Sequence, residues 1–214
     1  MKFILLPAVL LATGIASAAT PVDGWYTSAF GGYAYFPDNI SAFNSSGLLL
    51  NGTSYNGGYN VGGRIGYQSN PIRYELEYTY LFANSSFFNI NNVQQTDIIG
   101  SSSGNLIMTN LYYDFPEMLP AISPYLGVGM GYAMLQTTLT STDPVLGNTY
   151  FNVNEDSFAY QGTAGLTYNF AENYAVNIAY RYTAAAGNGD YGKTFQAHQA
   201  SVGVIYRFDR GYYK

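Results

Sequence analysis

The sequence predicts an all-β fold, an eight-stranded antiparallel transmembrane up-and-down β-barrel with both termini periplasmic. In residues 72–82, apolar or aromatic side chains alternate with polar or charged ones, which is the period of a two-faced β-strand. This segment has the length of a tilted membrane-crossing strand, roughly 9–11 residues. Only 10% of the 214 residues are charged and 17% are aromatic, whereas soluble domains carry roughly 25% charged residues. Because the mean hydropathy is near zero, the apolar residues are spread along the chain, as alternating strands require.

The first residues have the pattern of a secretory signal peptide. Lys2 precedes an apolar stretch over residues 3–15, and Ala16-Ser17-Ala18 forms a small-x-small cleavage site. A membrane anchor helix is the alternative, but this apolar run is too short to span a bilayer. The sequence therefore predicts a signal peptide over residues 1–18, a barrel over residues 19–208 and a short periplasmic C-terminal extension over residues 209–214.

Eight segments show the alternation of apolar and polar residues that is typical of β-strands, and polar connections separate them. The first and the fourth have aromatic residues on both faces, so the sequence leaves open which face points inward. Long connections alternate with tight turns, which is typical of membrane-spanning barrels. The predicted strands are residues 24–36, 59–68, 72–82, 105–115, 125–139, 157–170, 174–183 and 196–208. The long connections are residues 38–58, 83–104, 140–156 and 184–195, and the tight turns are residues 69–71 and 171–173.

Two closures fit eight amphipathic strands. A soluble barrel such as a lipocalin turns its apolar face inward around a ligand, and a membrane barrel turns that face outward. The polar face here is rich in glycine, as at Gly127, Gly129 and Gly131. Glycine does not solubilise a water-facing sheet, but inside a narrow barrel it leaves room for long side chains. Tyrosines at many strand ends are typical of membrane-interface girdles, so the pattern favours the membrane barrel.

The last predicted strand carries a family motif. Ser201, Gly203, Tyr206 and Phe208 fit the pattern polar-x-Gly-x-x-aromatic-x-aromatic, the assembly signal of bacterial outer-membrane barrels. With the signal peptide and the hairpin rhythm, the chain resembles small Gram-negative outer-membrane β-barrels of the OmpA-like or opacity-protein type over residues 19–208. Many such chains end at the terminal aromatic residue, but this one continues over residues 209–214.

The resemblance implies residence in the bacterial outer membrane. It also implies contact with outer-membrane lipid and lipopolysaccharide, insertion by the barrel-assembly machinery, and long surface-exposed loops available for adhesion to a host or another extracellular ligand. With a net charge of −5 and few basic residues, the sequence does not predict a basic surface that would bind nucleic acid. The chain contains no cysteine, so no disulfide contributes to its stability.

Five charged residues are predicted to face the lumen by the parity of their strands: Arg64, Glu75, Glu77, Arg181 and Arg207. A tight turn joins the second and third strands, so Arg64 is expected to lie across from Glu75 or Glu77. Buried charges need partners, and an eight-stranded barrel is just wide enough for side chains to fill. We therefore expect a structural charge network in a packed polar lumen. The alternative is a narrow or gated porin-like pore for small solutes, and acid–base catalysis by the two carboxylates is the least favoured reading.

The sequence does not predict an enzyme. His198 is the single histidine, expected at the extracellular rim on the lipid-facing side. The His-x-Ser pattern of lipid A deacylases would place serine at position 200, which is Ala200, and Ser201 has the opposite parity. A lipid-modifying enzyme is therefore the weakest alternative, because the base has no nucleophile beside it.

The third long connection holds several oxygen-bearing side chains that could bind a cation. They lack the ordered spacing of a calcium loop, so the sequence predicts neither a metal nor another cofactor. These residues are Asp143, Asn152, Asn154, Glu155 and Asp156.

Overall fold

The computed structural model describes the chain in nine stretches. The predicted signal peptide and the predicted C-terminal extension lie outside them. No helix among the described residues has the length and apolarity needed to cross a bilayer. The described residues are 23–37, 42–43, 49–55, 57–90, 93–94, 96–116, 121–143, 147–186 and 195–208.

The described residues form eleven strands, and eight of them form a closed antiparallel ring. The ring runs β1-β4-β5-β7-β8-β9-β10-β11 and closes where β1 pairs with β11, so the predicted eight-stranded barrel is confirmed. The short strands β2, β3 and β6 pair beyond the ring, next to the far end of β5. The strands are β1 Gly24–Tyr35, β2 Ala42–Phe43, β3 Leu49–Tyr55, β4 Gly58–Ser69, β5 Ile72–Ile90, β6 Val93–Gln94, β7 Thr96–Asp114, β8 Ile122–Asp143, β9 Gly147–Asn169, β10 Tyr174–Ala185 and β11 Phe195–Arg207.

Two of the predicted long connections are largely strand. β5 and β7 stay paired as far as Asn84 and Ser101, and β8 and β9 stay paired as far as Asp143 and Gly147. The prediction of loops over residues 83–104 and 140–156 is therefore wrong for most of their length. These segments are rich in Asn, Ser, Thr and Gly and lack a regular apolar face, because they extend the ladder beyond the part that needs one. A membrane crossing uses roughly 9–11 residues, and β8 and β9 contain 22 and 23.

The structure settles the facing of the two strands that the sequence left open. Side chains at even positions point into the barrel on both β1 and β7, and the odd positions point outward. The inward side chains include Tyr26 and Phe30 on β1 and Met108 and Tyr112 on β7. Each strand therefore places aromatic groups on both faces, which is why alternation alone could not orient it.

The outer surface carries an aliphatic belt between two aromatic girdles, as predicted for a membrane barrel. This arrangement excludes the lipocalin-like alternative, whose apolar face would line the interior. The belt comprises Val61, Ile65, Leu76, Ile107, Leu111, Leu126, Val128, Met130, Leu166, Ile178, Val202 and Val204, all exposed. The girdle at the tight turns includes Trp25, Tyr74, Tyr113, Phe115, Tyr168, Phe170, Tyr174 and Phe208, and the girdle at the hairpin end includes Tyr33, Tyr35, Tyr59, Tyr132, Phe158, Tyr160 and Tyr180.

Towards the long hairpins the interior contains a layer of apolar side chains that the prediction of a packed polar lumen did not include, and the buried polar Ser102, Thr137, Glu155 and Ser157 lie beside or beyond it. Leu81, the residue that breaks the alternation of residues 72–82, is fully buried there. The break in the pattern therefore marks the depth at which the lining changes from polar to apolar. We call this set the inner apolar layer: Ala34, Phe36, Leu81, Ala83, Leu106, Met108, Ala133, Leu135, Ala159, Ala185, Ala197 and the partly buried Phe195.

Glycines on the inner wall make room for large neighbours, as the sequence predicted. A Cβ atom on Gly127 would lie 2.1 Å from Cδ1 of Tyr112, and one on Gly129 would lie 1.9 Å from Oδ1 of Asn110. Any larger residue at these positions would push the neighbouring side chain out of its place. The glycine-rich face therefore accommodates the polar side chains that cross the lumen.

Candidate functional site: the charged layer of the lumen

Six buried or half-buried charged side chains meet in the middle and lower part of the barrel, and we call them the charged layer. They are contributed by β4, β5, β7 and β10, and their formal charges sum to zero. Five ion pairs link them into one chain of contacts. The charged layer comprises Arg64, Arg73, Glu75, Glu77, Asp114 and Arg181.

Glu77 holds the upper part of the charged layer. Its Oε2 atom lies 3.6 Å from Nε of Arg64 and 3.4 Å from Nη2 of Arg181. Its Oε1 atom accepts hydrogen bonds from Thr79 at 3.1 Å and from the Gln161 amide at 3.4 Å. Two cations and two neutral donors therefore surround this carboxylate, which satisfies the requirement for a charge buried away from bulk water.

Glu75 links the upper part to the tight-turn end. Oε2 of Glu75 lies 3.6 Å from Nη1 of Arg64, and Oε1 accepts a hydrogen bond from Nη1 of Arg73 at 3.0 Å. The hydroxyl of Tyr26, on β1 two strands away in the ring, also donates to Oε1. Arg73 continues the chain of contacts to Asp114, with 3.2 Å between Nε and Oδ2.

Aromatic rings support the three arginines of the charged layer. The guanidinium carbons of Arg64 and Arg181 lie 4.3 and 4.7 Å from the centroid of the Phe30 ring. Arg73 lies 4.6 Å from the ring of Tyr112 and 4.7 Å from the ring of Tyr125. Contacts of this length add cation–π attraction and fill the space beside the planar guanidinium groups.

Neutral polar side chains complete the layer around the ring. Gln161 on β9 donates to Asn110 on β7 at 2.6 Å, and Gln199 on β11 accepts from Arg181 at 3.2 Å. On β8, Tyr125 accepts a hydrogen bond from Asn177 at 3.1 Å. With Tyr26 and Phe30 from β1, each of the eight ring strands contributes a side chain to the charged layer or to its immediate surroundings.

The structure brings together four of the five predicted lumen charges. Arg64, Glu75, Glu77 and Arg181 are in contact, and Arg64 lies across from both glutamates, as the tight turn predicted. Arg207 also points inward, but no carboxylate oxygen of a described residue lies within 4 Å of its guanidinium group. Its Nη2 atom donates to Oδ1 of Asn169 at 2.7 Å.

The lumen charge network predicted from the sequence lacks two members of the charged layer, Arg73 and Asp114. Arg73 has the same parity as Glu75 and Glu77, and this shared parity was the signal that could have placed it there. Asp114 is the last residue of β7. Arg73 pairs with Tyr112, so Asp114 lies two residues beyond that pair and reaches Arg73 diagonally. The fourth strand's facing was open from sequence, so this second partner could not be assigned.

The two candidate catalytic residues, His198 and Ser201, lie on opposite faces of β11. His198 is on the outer face of β11, where its Nδ1 atom is 2.6 Å from the Tyr180 hydroxyl. Ser201 points into the barrel and is buried. In the predicted assembly signal, Ser201 and Gly203 face inward, and Tyr206 and Phe208 face outward.

The oxygen-bearing residues of the third predicted connection lie on the β8–β9 hairpin. Asn152, Asn154 and Asp156 are exposed on one face of β9, and Glu155 is buried on the other. Because alternation along the strand separates these groups, the hairpin does not gather them as a calcium loop would.

Comparison with known proteins agrees with this architecture. A family model described as "Outer membrane protein beta-barrel domain" matches residues 3–208. An outer membrane protein of Gluconacetobacter diazotrophicus is 27% identical over 197 residues, which cover 84% of this chain and 50% of that relative. An uncharacterized protein of Brucella abortus is 28% identical over 109 residues, which cover 49% of this chain and 37% of that relative. The chain therefore spans half or less of the length of these curated relatives.

A solved structure shares the fold. The crystal structure of Neisserial surface protein A superposes with a TM-score of 0.55 at 20% identity, covering 86% of this chain and 97% of that one. At this identity the likeness concerns the fold, which agrees with the closed ring of eight strands. The match to the family model covers nearly the whole chain, and the protein therefore belongs to the outer membrane protein β-barrel domain family, as a Gram-negative outer-membrane β-barrel.

Proposed function

We propose that the protein is a sealed outer-membrane barrel with a structural and surface role. The observation that carries the proposal is the charged layer, whose six side chains come from four ring strands and are contacted in the lumen by polar or aromatic side chains of the other four. The inner apolar layer lies above it, towards the long hairpins, and forms a second barrier. A solute would have to pass both layers in series.

The two layers resist permeation for different reasons. Opening the charged layer would separate buried arginines from buried carboxylates, which is costly because each then lacks its partner. The side chains of the inner apolar layer cannot replace the water around an ion, although the buried Ser157 lies beside Ala133 of this layer, and hydrophobic constrictions resist the passage of hydrated ions. The narrow pore remains the competing function, and it requires both layers to move aside.

Conductance in a planar lipid bilayer distinguishes the two functions. We expect no steady conductance from the purified protein, under conditions in which a general porin conducts. The variant E75A/E77A should show small, intermittent openings because the inner apolar layer stays in place. The control D156A/E172A removes two exposed carboxylates and should stay silent. Steady conductance from the unmodified protein would establish the pore instead.

The projecting hairpins support a second part of the proposal, contact with a host surface or another extracellular ligand. The β8–β9 hairpin is about twice as long as a membrane crossing requires, and its pairing is regular to the tip. Its outward face carries exposed Tyr150, Asn152 and Asn154. A ligand would therefore meet a rigid strand pair, which loses little conformational entropy on binding.

Shortening this hairpin tests the surface role. Thr138 pairs with Asn152, so residues 139–151 can be replaced by a two-residue turn without shifting the register below. Cells carrying the shortened protein should lose binding to host cells or matrix and keep the barrel, shown by a mobility difference between unheated and boiled samples. Unchanged binding would remove this hairpin from the proposed function.

The proposal includes a structural role without catalysis. It is supported by the placement of His198 outside the barrel and Ser201 inside, because a base and a nucleophile on opposite faces cannot share a substrate. We also propose cleavage after residue 18, delivery by the barrel-assembly machinery through Ser201, Gly203, Tyr206 and Phe208, and lipopolysaccharide contact along the outer belt. The tight turns would then face the periplasm.

A further inference from the structure

A cavity of about 370 Å³ opens at the end of the barrel where the tight turns lie. We call it the lower vestibule. It lies beside the tight-turn end of the charged layer, and polar side chains from β4, β5, β7, β8, β9 and β11 line it. The lining includes Gln68, Arg73, Asp114, Ser123, Asn169 and Arg207.

Arg207 is held rigidly at the wall of the lower vestibule. Its backbone N–H donates to the carbonyl of Asn173 at 2.8 Å, and the Asn173 amide donates to the Arg207 carbonyl at 3.0 Å. The next residue, Phe208, donates its N–H to the carbonyl of Trp25 at 3.0 Å. The side chain is only 4% exposed, so the guanidinium group is fixed against the cavity.

The buried polar atoms without hydrogen bonds around this cavity are all donors. They are Nε and Nη1 of Arg207, Nδ2 of Asn169 and Nη2 of Arg73, while Nε of Arg73 lies 3.2 Å from the Asp114 carboxylate. Buried donors are normally satisfied, because leaving one without an acceptor costs free energy. A group that fills this space must therefore supply acceptor oxygens.

The charges around the lower vestibule also indicate that it accommodates a group with acceptor oxygens. Arg73 is paired with Glu75 at 3.0 Å and with Asp114 at 3.2 Å. Arg207 takes part in none of the ion pairs between described residues, and its guanidinium group donates a hydrogen bond to the neutral Asn169. A buried guanidinium group without a carboxylate is strongly destabilising unless an anion reaches it.

We propose that the lower vestibule is a binding site for a small anion that carries a carboxylate or a phosphate group. Arg207 supplies charge-assisted hydrogen bonds and Asn169 supplies a neutral donor, while Arg73 faces the anion from the charged layer. This site goes beyond the sealing and surface roles proposed above, since it opens to the side of the tight turns and shares only Arg73 and Asp114 with the charged layer.

Titration of the purified barrel in a maltoside detergent and chloride buffer tests the site. Sodium phosphate and sodium acetate are the probes, followed by the arginine Nε–H signals in ¹H–¹⁵N spectra. We expect saturable shifts in the unmodified protein. The variants R207Q and N169A should bind about tenfold more weakly or worse, since each removes a hydrogen bond to a charged group. N169A leaves every charge in place, so it tests the site even if R207Q assembles poorly.

Two further variants complete the experiment. R210Q makes the same charge change three residues later, and it should bind like the unmodified protein; an equal loss in R210Q would overturn the site, because attraction would then be nonspecific. D209N identifies the source of the anion. Binding in D209N without binding in the unmodified protein would show that the Asp209 carboxylate occupies the site. Absence of saturable binding in both would overturn the proposal and leave the vestibule to water.

Discussion

Glu77 and Arg181 bridge the lumen from opposite walls, with 3.4 Å between Oε2 and Nη2. Their strands, β5 and β10, are separated by three ring strands in either direction. No backbone ladder connects them, so these two side chains are a direct link across the barrel diameter. The pair therefore fixes the cross-section of the ring in a way that pairing between neighbouring strands cannot.

The first prediction concerns this bridge. E77Q and R181Q should each lower the free energy of unfolding by about 3–5 kcal/mol, the cost of leaving a buried charge without its partner. The double variant should lose clearly less than the sum, because neither charge remains. Urea unfolding in lipid vesicles measures this, and the fluorescence of Trp25, the single tryptophan, reports on it from the outer surface. Additive losses would show that the two groups are not coupled.

The second prediction concerns the inner wall. G127A should destabilise the barrel by about 1–3 kcal/mol, because the new methyl group would overlap the ring of Tyr112. The matched control is G162A on the adjacent strand. A Cβ atom on Gly162 meets nothing within 4 Å, and Gly162 pairs with Val128, next to Gly127. The same unfolding measurement should leave G162A within about 0.5 kcal/mol of the unmodified protein; equal effects would contradict the crowding argument.

The third prediction treats the two layers as barriers in series. L81S/L106S should leave the barrel silent in a planar bilayer, because the charged layer still closes the lumen. Adding these changes to E75A/E77A should raise the conductance well above that of E75A/E77A alone, since polar side chains remove the dewetting barrier. A control with the outer-belt change L76S in the same E75A/E77A background should add nothing. Equal conductance with and without L81S/L106S would show that the inner apolar layer does not obstruct ions.

The fourth prediction concerns His198. H198A removes an exposed hydrogen bond to Tyr180 and aromatic contacts on the outer surface, so it should cost about 1 kcal/mol or less. Mobility on unheated gels and host-cell binding should stay unchanged. Mass spectrometry of lipid A from cells that carry the protein or H198A should give the same spectrum. A lipid A modification that disappears in H198A would assign a catalytic role that the present geometry does not support.

Much of the fold could be predicted from alternation, because a period of two orients each strand and a tight turn sets its register. That reasoning placed Arg64 against Glu75 and Glu77. It could not place Glu77 against Arg181, since contacts across a barrel depend on strand tilt and stagger, which alternation does not encode.

Two other features were missed for local reasons. The polar hairpin extensions look like loops, because strands that leave the membrane no longer need an apolar face. The inner apolar layer was signalled only by Leu81, one residue out of phase. The partner of Arg207 could not be predicted either, because the sequence gives no reason to choose the neutral Asn169 over a carboxylate.

The seam between β1 and β11 has a kinetic consequence. Tyr26 pairs with Arg207, so the first ring strand bonds directly to the last. Until β11 is available, β1 presents an open edge of unsatisfied amides and carbonyls, which is a template for aggregation. Closing the ring joins the most distant parts of the described chain, and such non-local pairing is slow because the loop-closure entropy comes first. Assembly is therefore all or nothing at its final step, and a chain lacking β11 would be trapped as an open sheet.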